Sequence, residues 1–312
     1  MKRIPIQPEL SRIPEKFHHI FRNTSVFDSS CSPDARVFYL EREGGLYLKS
    51  AAPGSLKQEA EMNTYFHSLG LGPAVVEYVH LDRDWLLTRA VQGEDCLHPA
   101  YLAEPEKLAE TMAEMLFDLH QRDFSGCPVQ NHTESYLDRA RKNHAAGHYD
   151  TSLFPDNWGY ASPEEAWALV EANAKYLKTD TLLHGDYCLP NVMLRGWDFS
   201  GFIDLGGGGI GDRHVDLFWG AWTLNFNLKT DIYRDRFFDA YGTDKSIIIT
   251  HTEGCPCCGG AKRSTTIPTP RQNSINAYSE AWALCDFIAP ESFGDHIGAF
   301  AVTVGKEWAE EL

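Results

Sequence analysis

The sequence predicts an α+β fold in which a small, sheet-rich N-terminal part with one main helix precedes a larger, mainly helical part. Two observations indicate this order. The first ninety-odd residues hold several short β-rich segments and one helical segment, whereas apolar residues recur at helical spacing from Pro105 onward. No internal repeat interrupts this pattern, so a repeat architecture is excluded.

The N-terminal elements follow from composition and turn signals. Residues 17–49 are predicted to form a run of short strands that ends in a hairpin, because two β-rich segments flank the Gly-Gly turn at 44–45. A helix is predicted next, closed by Gly70 and by Gly72-Pro73. The predicted bounds are 35–40 and 45–49 for the hairpin strands, 57–69 for the helix, and 75–78 and 85–88 for two further strands.

The C-terminal elements begin with an amphipathic helix after Pro105, whose apolar residues are Leu108, Met112, Met115, Leu116 and Leu119. Further elements are a helix from Pro163, strands and loops over 182–205, helices over 216–224 and 232–241, and loop or disorder over 246–274. We therefore predict a sheet-rich lobe at 1–93, a mainly helical lobe at 94–245 and a tail of different composition at 246–312.

Charge and composition restrict the partners. The 312 residues include 28 Lys and Arg against 44 Asp and Glu, a formal net charge of −16, which disfavours nucleic acid and anionic membranes and favours a cationic small molecule. No apolar run is long enough to span a bilayer, and the N-terminus turns polar at once, so a cytoplasmic protein is expected. A zinc site at Cys255, Cys257 and Cys258 is disfavoured because a second ligand pair is missing.

The strongest chemical signal lies between residues 184 and 204. Asp186 is followed five residues later by Asn191, and Asp204 ends the next short strand. In phosphoryl transfer, such an Asp accepts the proton of a substrate hydroxyl, while an Asn and a second Asp hold Mg²⁺. Each of the three could alone be a turn residue. Their order, with His-Gly before the first Asp, favours catalysis.

A cation that faces the nucleotide phosphates is also expected, and Lys49 at the end of a predicted strand fits this role. Glu61 on the following helix is predicted to pair with it, since Glu59 lies about 200 degrees away around the helix axis. Gly206, Gly208 and Gly211 match G-x-G-x-x-G, but this motif does not open a βαβ unit. We expect a flexible loop there and exclude a dinucleotide fold.

These segments resemble the protein-kinase-like small-molecule kinases, and specifically the aminoglycoside 3'-phosphotransferases. The similarity covers roughly residues 5–245. It rests on Ser32-Pro33, Leu46–Lys49, the Glu61 helix, His184–Asn191, Ser200–Gly206 and Asp212–Asp216. It implies a bilobal kinase-like fold with a nucleotide-binding lobe at 1–93, a catalytic and acceptor-binding lobe at 94–245 and an atypical tail at 246–312. Such an enzyme would move the γ-phosphoryl group of ATP to a sugar hydroxyl with Mg²⁺, as a monomer or homodimer.

The resemblance also implies roles for single residues. Asp186 would be the catalytic residue, Asn191 and Asp204 the metal ligands, and Lys49 and Glu61 the phosphate-positioning pair. Ser32 would lie in the nucleotide loop, Tyr47 against adenine and Asp156 in the acidic substrate loop, while His184 and Asp216 would brace the catalytic loop.

Two departures from the family pattern concern acceptor binding. Gly207 stands where related enzymes often carry an Arg, and residues 222–228 replace a segment that is often acidic. The tail after residue 245 is unrelated to the family, and is interpreted as an aberrant end or, alternatively, an appended segment. Two alternatives remain. One is an enzyme of the same fold with another acceptor, such as a macrolide, choline, homoserine or another sugar, and the other is an inactive nucleotide-binding protein.

Overall fold

The computed structural model describes residues 3–31, 35–147 and 163–242. Its strands are β1 (Ile4–Pro5), β2 (Val26–Asp28), β3 (Arg36–Leu40), β4 (Leu46–Ala51), β5 (Val75–His80), β6 (Asp84–Arg89), β7 (Glu94–Asp95), β8 (Thr181–Leu183), β9 (Val192–Arg195), β10 (Asp198–Phe202) and β11 (Gly209–Gly211). Its helices are α1 (Lys57–Ser68), α2 (Pro99–Leu102), α3 (Pro105–His120), α4 (His132–Ala146), α5 (Pro163–Asn173), α6 (His214–Leu228) and α7 (Arg234–Tyr241).

The N-terminal part is a six-stranded antiparallel sheet in the order β1-β2-β3-β4-β6-β5, with α1 between β4 and β5. Side chains alternate between its two faces. Leu48 faces a core that contains Phe17, Trp85 and Leu87, whereas Lys49 lines a cleft on the opposite face. The predicted strands after residue 35 and the predicted main helix are confirmed.

The prediction of strand structure from residue 17 is wrong at its start, because Glu15–Phe21 form a 3₁₀ helix. Its apolar residues Phe17, Ile20 and Phe21 are buried, and their i, i+3, i+4 spacing suits one face of a helical turn better than an alternating strand. This turn covers the sheet face that α1 leaves open.

The C-terminal part packs helices around a large apolar core. The predicted helix after Pro105 is confirmed as α3, and its residues Leu108, Met112 and Leu116 are completely buried. It contacts α6 and α7, and Phe237 of α7 lies against Gly220 of α6. Two small sheets, β10-β9-β7 and β11-β8, accompany these helices. In the chain, β7 precedes α2, and β8 to β11 come between α5 and α6.

The glycine segment after residue 205 is not a flexible loop, contrary to our expectation. Leu205–Gly207 form a 3₁₀ turn, and β11 pairs with β8. At Gly208 an added Cβ would lie 2.8 Å from Met62 Cε and 3.0 Å from the Leu183 carbonyl oxygen. The glycines therefore permit close packing of α1, this turn and β8, rather than motion.

The α+β class is thus confirmed, while the lobe boundary at residue 93 stays a prediction. The predicted tail at 246–312 lies outside the described residues. Within the described ranges, no helix combines the length and apolar character that crossing a bilayer requires.

Candidate active site

The loop between β8 and β9 holds the predicted catalytic residue. Asp186 is almost completely buried at the wall of the cleft between the two parts. Asn191 Nδ2 donates to Asp186 Oδ2 at 2.8 Å and to the Asp186 carbonyl oxygen at 2.9 Å. Because Leu189–Asn191 form a 3₁₀ turn, the two side chains meet although they are five positions apart in the sequence. The carboxylate orientation is therefore fixed before any ligand arrives.

A second carboxylate, that of Asp216 on α6, stabilises the loop between β8 and β9 by accepting hydrogen bonds from its backbone. Its Oδ2 accepts from His184 N at 2.7 Å, and its Oδ1 accepts from Gly185 N at 2.8 Å. Gly185 has φ +83°, and a Cβ there would lie 1.8 Å from the Gly207 carbonyl oxygen, so only glycine fits. The loop conformation thus depends on Asp216 and on this glycine.

His120 also stabilises this loop, and this role was not predicted from the sequence. Its Nε2 lies 3.2 Å from Asp216 Oδ2, and its Nδ1 lies 2.7 Å from the Tyr241 hydroxyl. Burial lowers the pKa of His120 despite the Asp216 carboxylate. A neutral ring that donates through Nε2 and accepts from Tyr241 matches both contacts. His184 Nδ1 lies 3.3 Å from Asp186 N, so its ring also supports the loop.

We expect Asp216→Asn to destabilise the protein by about 3 kcal/mol, because an amide nitrogen would face buried N–H donors that need an acceptor. Urea unfolding followed by circular dichroism measures this loss. Asp231→Asn, an equivalent change at an exposed ion pair, serves as the control. Equal unfolding free energies for Asp216→Asn and the wild type would contradict the supporting role.

The predicted cation, Lys49, faces the same cleft. Its Nζ lies 2.9 Å from Glu59 Oε2 and 3.2 Å from Asp204 Oδ1. Burial by itself would lower the pKa of Lys49, but the two carboxylates raise it above its ordinary value, so the side chain stays charged. One ammonium therefore links the N-terminal sheet, α1 and the segment after β10.

The predicted partner of Lys49 is wrong, because the structure pairs it with Glu59 rather than with Glu61. Glu61 is about half exposed and lies 3.8 Å from Lys57 on the outer face of α1. The inner face is set by Met62 and Phe66, and Glu59 lies three residues before Met62 on that same face. This apolar periodicity was the signal that could have identified Glu59.

We expect Glu59→Gln to lower kcat/KM for the nucleotide by about 10- to 100-fold, because the ammonium of Lys49 would lose its fixed position. Glu61→Gln is the matched control on the same helix and should stay within about twofold of the wild type. Steady-state kinetics of nucleotide turnover measure both. Equal effects of the two substitutions would contradict the assignment.

The oxygens of Asn191 and Asp204 suit a magnesium ion. Asn191 Nδ2 donates to two oxygens of Asp186, so the side-chain oxygen Oδ1 of Asn191 is available to a metal. Asp204 has φ +56°, a left-handed conformation that Asp and Asn tolerate. Among the described residues, no three His, Cys, Asp or Glu side chains group to hold a metal. A magnesium ion needs only one or two protein oxygens beside phosphates and water.

The cleft has a volume of about 1230 Å³, counting its part open to solvent, and continues from this site to the N-terminal sheet. Tyr47 and Thr88, which pair across β4 and β6, line it. The Tyr47 hydroxyl accepts from Arg3 Nη2 at 3.3 Å. Ser32 and Asp156, the other two predicted site residues, lie outside the described residues.

The wall of the cleft on the α6 side is aromatic. Trp222 and Phe226 stack with ring centroids 4.8 Å apart, and both line the cleft together with Asn227. Asn227 Nδ2 donates to the Thr223 carbonyl oxygen at 2.8 Å. This segment carries no acidic residue, and its position at the same cleft as Asp186 could not be predicted from the sequence.

The sequence is similar to those of known proteins. The model of a family described as "Phosphotransferase enzyme family" matches residues 29–251. A probable aminoglycoside 3'-phosphotransferase from Lactococcus lactis is 44% identical over 250 residues, which are 80% of this chain and 95% of that protein.

Two solved structures are similar at lower sequence identity. An aminoglycoside-3'-phosphotransferase of type VIII has a TM-score of 0.59 and 24% identity, over 80% of this chain and 88% of its own. A Streptomyces rimosus aminoglycoside phosphotransferase, solved with ADP and streptomycin, has a TM-score of 0.60 and 20% identity, over 80% and 90%. These likenesses confirm the predicted kinase-like fold.

Proposed function

The chain belongs to the phosphotransferase enzyme family, and from this premise we propose that it transfers the γ-phosphoryl group of ATP to the 3'-hydroxyl of an aminoglycoside. The observation that carries the proposal is the convergence of Asp186, Asn191, Asp204 and the Lys49–Glu59 pair on one cleft. Similarity to named aminoglycoside 3'-phosphotransferases supports the acceptor class. The ADP complex of a fold neighbour supports the nucleotide.

In this proposal Asp186 accepts the proton of the acceptor hydroxyl as the oxygen attacks the γ-phosphorus. Asn191 keeps the carboxylate oriented through its amide, and the supporting carboxylate of Asp216 holds the loop backbone. Lys49, fixed by Glu59, neutralises the α- and β-phosphates. Asn191 and Asp204 would hold Mg²⁺, which would neutralise negative charge on the nucleotide phosphates when bound.

The remaining site residues are assigned by resemblance. Tyr47 would lie against adenine, since it lines the cleft from β4, the strand that also carries Lys49. Ser32 would contribute to the nucleotide loop and Asp156 would contact an ammonium group of the acceptor. The net charge of −16 suits a polycationic acceptor as a general field effect.

The test is a coupled assay of ADP release with ATP and Mg²⁺, with and without kanamycin or neomycin. We expect drug-stimulated turnover and a phosphorylated product whose position is read by NMR. Choline, homoserine and a macrolide are the control acceptors. Turnover that responds to one of these and not to an aminoglycoside would overturn the acceptor assignment, and absent turnover in a folded, nucleotide-binding protein would overturn the enzymatic one.

If the acceptor is an aminoglycoside, the product carries added negative charge where the drug is cationic. Expression of the chain in a susceptible bacterium should then raise the inhibitory concentration of that drug, and the same chain with Asp186→Asn should not.

The oligomeric state stays a prediction, either a monomer or a homodimer. Light scattering at the protein concentration of the assay distinguishes the two.

A further inference from the structure

Asp84, at the start of β6, is a buried carboxylate that the proposed mechanism does not use. Its side chain has no exposed surface, and it does not line the cleft. Its Oδ2 accepts hydrogen bonds from Leu56 N at 2.9 Å and from the Tyr78 hydroxyl at 3.0 Å. Its Oδ1 lies 2.7 Å from His80 Nδ1. Burial by itself would raise the pKa of Asp84, but hydrogen bonds from the Gly54 backbone and from these donors lower it, so the carboxylate stays ionised.

The start of α1 has no capping side chain of its own. Its N-cap residue is Leu56, which makes no side-chain hydrogen bond to the first turn. A helix N-terminus leaves backbone N–H groups that need acceptors from elsewhere, and a carboxylate that bonds the N-cap N–H is one solution. Asp84 supplies this carboxylate from β6, and its negative charge lies at the positive end of the helix dipole. A residue of the sheet therefore determines where α1 begins.

The sheet register places this contact on the same face as Lys49. Across β4 and β6, Asp84 pairs with Ala51 and Leu86 pairs with Lys49. Residues two positions apart on a strand share a face, so the side chains of both pairs face α1. Leu56 packs in one cluster with Ala51 and Leu86. The first turn of α1 thus lies over the strand pair that carries Lys49.

Glu59 lies three residues after Leu56, in the first turn of α1, where its Oε2 is 2.9 Å from Lys49 Nζ. Because one helical turn is a rigid unit, the position of Leu56 determines the position of Glu59. A second contact, from Gln58 Nε2 to the Gly206 carbonyl oxygen at 2.8 Å, holds this turn against the segment after β10. That contact is exposed to water, whereas the contact of Leu56 N is buried and is therefore the stronger restraint.

We propose that Asp84 is a positioning residue for phosphoryl transfer, which holds the start of α1 so that Glu59 keeps the ammonium of Lys49 directed at the nucleotide phosphates. This inference rests on the proposed function, because it needs a nucleotide in the cleft. Asp84 does not line the cleft, so it acts only through α1. It should therefore affect the binding of the phosphates and not the binding of the nucleoside.

The experiment measures binding of Mg-ADP and of adenosine by calorimetry, without any acceptor. We expect Asp84→Asn to weaken Mg-ADP by about 5- to 20-fold, because an amide has one acceptor oxygen where the carboxylate has two, and the start of α1 is released. The affinity for adenosine, which lacks phosphates, should stay within about twofold of the wild type. Asp82→Asn, the same change at an exposed position before β6, is the control and should leave both affinities unchanged.

A double-mutant cycle shows whether Asp84 acts through Glu59. In a chain that already carries Glu59→Gln, Asp84→Asn should weaken Mg-ADP by less than about twofold further, because the ion pair that Asp84 positions is already lost. Effects of the two substitutions that multiply would overturn the inference, since they would show independent actions. If Asp84→Asn does not fold, Asp84→Glu replaces it in the cycle, because it keeps the charge and displaces the acceptor oxygens by one methylene group.

Tyr78→Phe separates positioning from stability. It removes one donor to the same carboxylate and leaves the contact with Leu56 N, so it should lower the melting temperature without changing the affinity for Mg-ADP. If Tyr78→Phe and Asp84→Asn lowered the melting temperature and the Mg-ADP affinity equally, affinity would follow stability alone and the inference would be wrong.

Amide hydrogen exchange of the wild type, followed by NMR, tests the contact itself. The N–H of Leu56 should exchange slowly although it precedes the first turn of a helix, where amides usually exchange with water readily. Rapid exchange at Leu56 would reject the anchoring role of Asp84.

The outcomes also distinguish this inference from the acceptor proposal. Mg-ADP affinity that depends jointly on Asp84 and Glu59, together with no aminoglycoside turnover, would support the positioning role and reject the acceptor. Aminoglycoside turnover by the wild type, with Mg-ADP affinity that is unchanged in Asp84→Asn, would keep the proposed function and reject the positioning role. If the wild type bound no Mg-ADP, both proposals would fail.

Discussion

Asp186→Asn is expected to lower kcat by about 10²- to 10⁴-fold, because an amide cannot accept the proton of the acceptor hydroxyl. The substitution preserves the shape of the side chain, and its oxygen can still accept from Asn191 Nδ2, which now contacts Oδ2 at 2.8 Å. The loop should therefore keep its conformation, and nucleotide affinity should change little. Single-turnover kinetics with ATP and a saturating acceptor isolate the chemical step.

The control for this experiment is Asp198→Asn, the same change at an exposed position of β10 away from the cleft. It should retain wild-type kcat. Binding of ADP by Asp186→Asn, measured by calorimetry, verifies that the variant is folded. A wild-type kcat for Asp186→Asn would show that another group accepts the proton, and the catalytic assignment would then be wrong.

The second large effect is expected at Asp204. Asp204→Asn should lower kcat/KM by about 10²- to 10³-fold and raise the Mg²⁺ concentration needed for half-maximal turnover, because a neutral amide is a weaker ligand than a carboxylate. Asn tolerates the left-handed backbone conformation of this residue, so the change should not strain the chain. Turnover measured over a series of Mg²⁺ concentrations reports both quantities.

Asp204 also contacts Lys49, so its loss could act through that ion pair alone. Glu59→Gln separates the two effects, since it disturbs Lys49 and leaves the metal ligands intact. We expect the Mg²⁺ dependence to change in Asp204→Asn and to remain that of the wild type in Glu59→Gln. An unchanged Mg²⁺ dependence in Asp204→Asn would reject the ligand role.

Much of the fold could be predicted from local signals. The strands β3 to β6 carry β-branched and aromatic residues, and α1 ends where Gly70 and Gly72-Pro73 predict it. The spacing of Asp186, Asn191 and Asp204 also predicted that these residues share one chemistry. Their positions at one cleft are consistent with that prediction, while their roles await the variants described above.

Other features depended on packing that a local pattern does not contain. The helix α4 was missed because two of its four buried residues, His132 and Thr133, are polar, so its apolar face is weak. The choice between Glu59 and Glu61 required the rotation of α1 against the sheet. His120 on α3 could not be linked to Asp216, 96 residues away, without the tertiary structure.

The contact between Tyr241 and His120 has a consequence for shortening the chain. Tyr241 ends the last described helix, and it reaches the backbone of His184 and Gly185 through His120 and Asp216. These hydrogen bonds connect the final turn of α7 to the loop that carries Asp186. A trimmed form for crystallisation or engineering should therefore keep Tyr241, because a cut a few residues earlier removes an anchor of the catalytic loop.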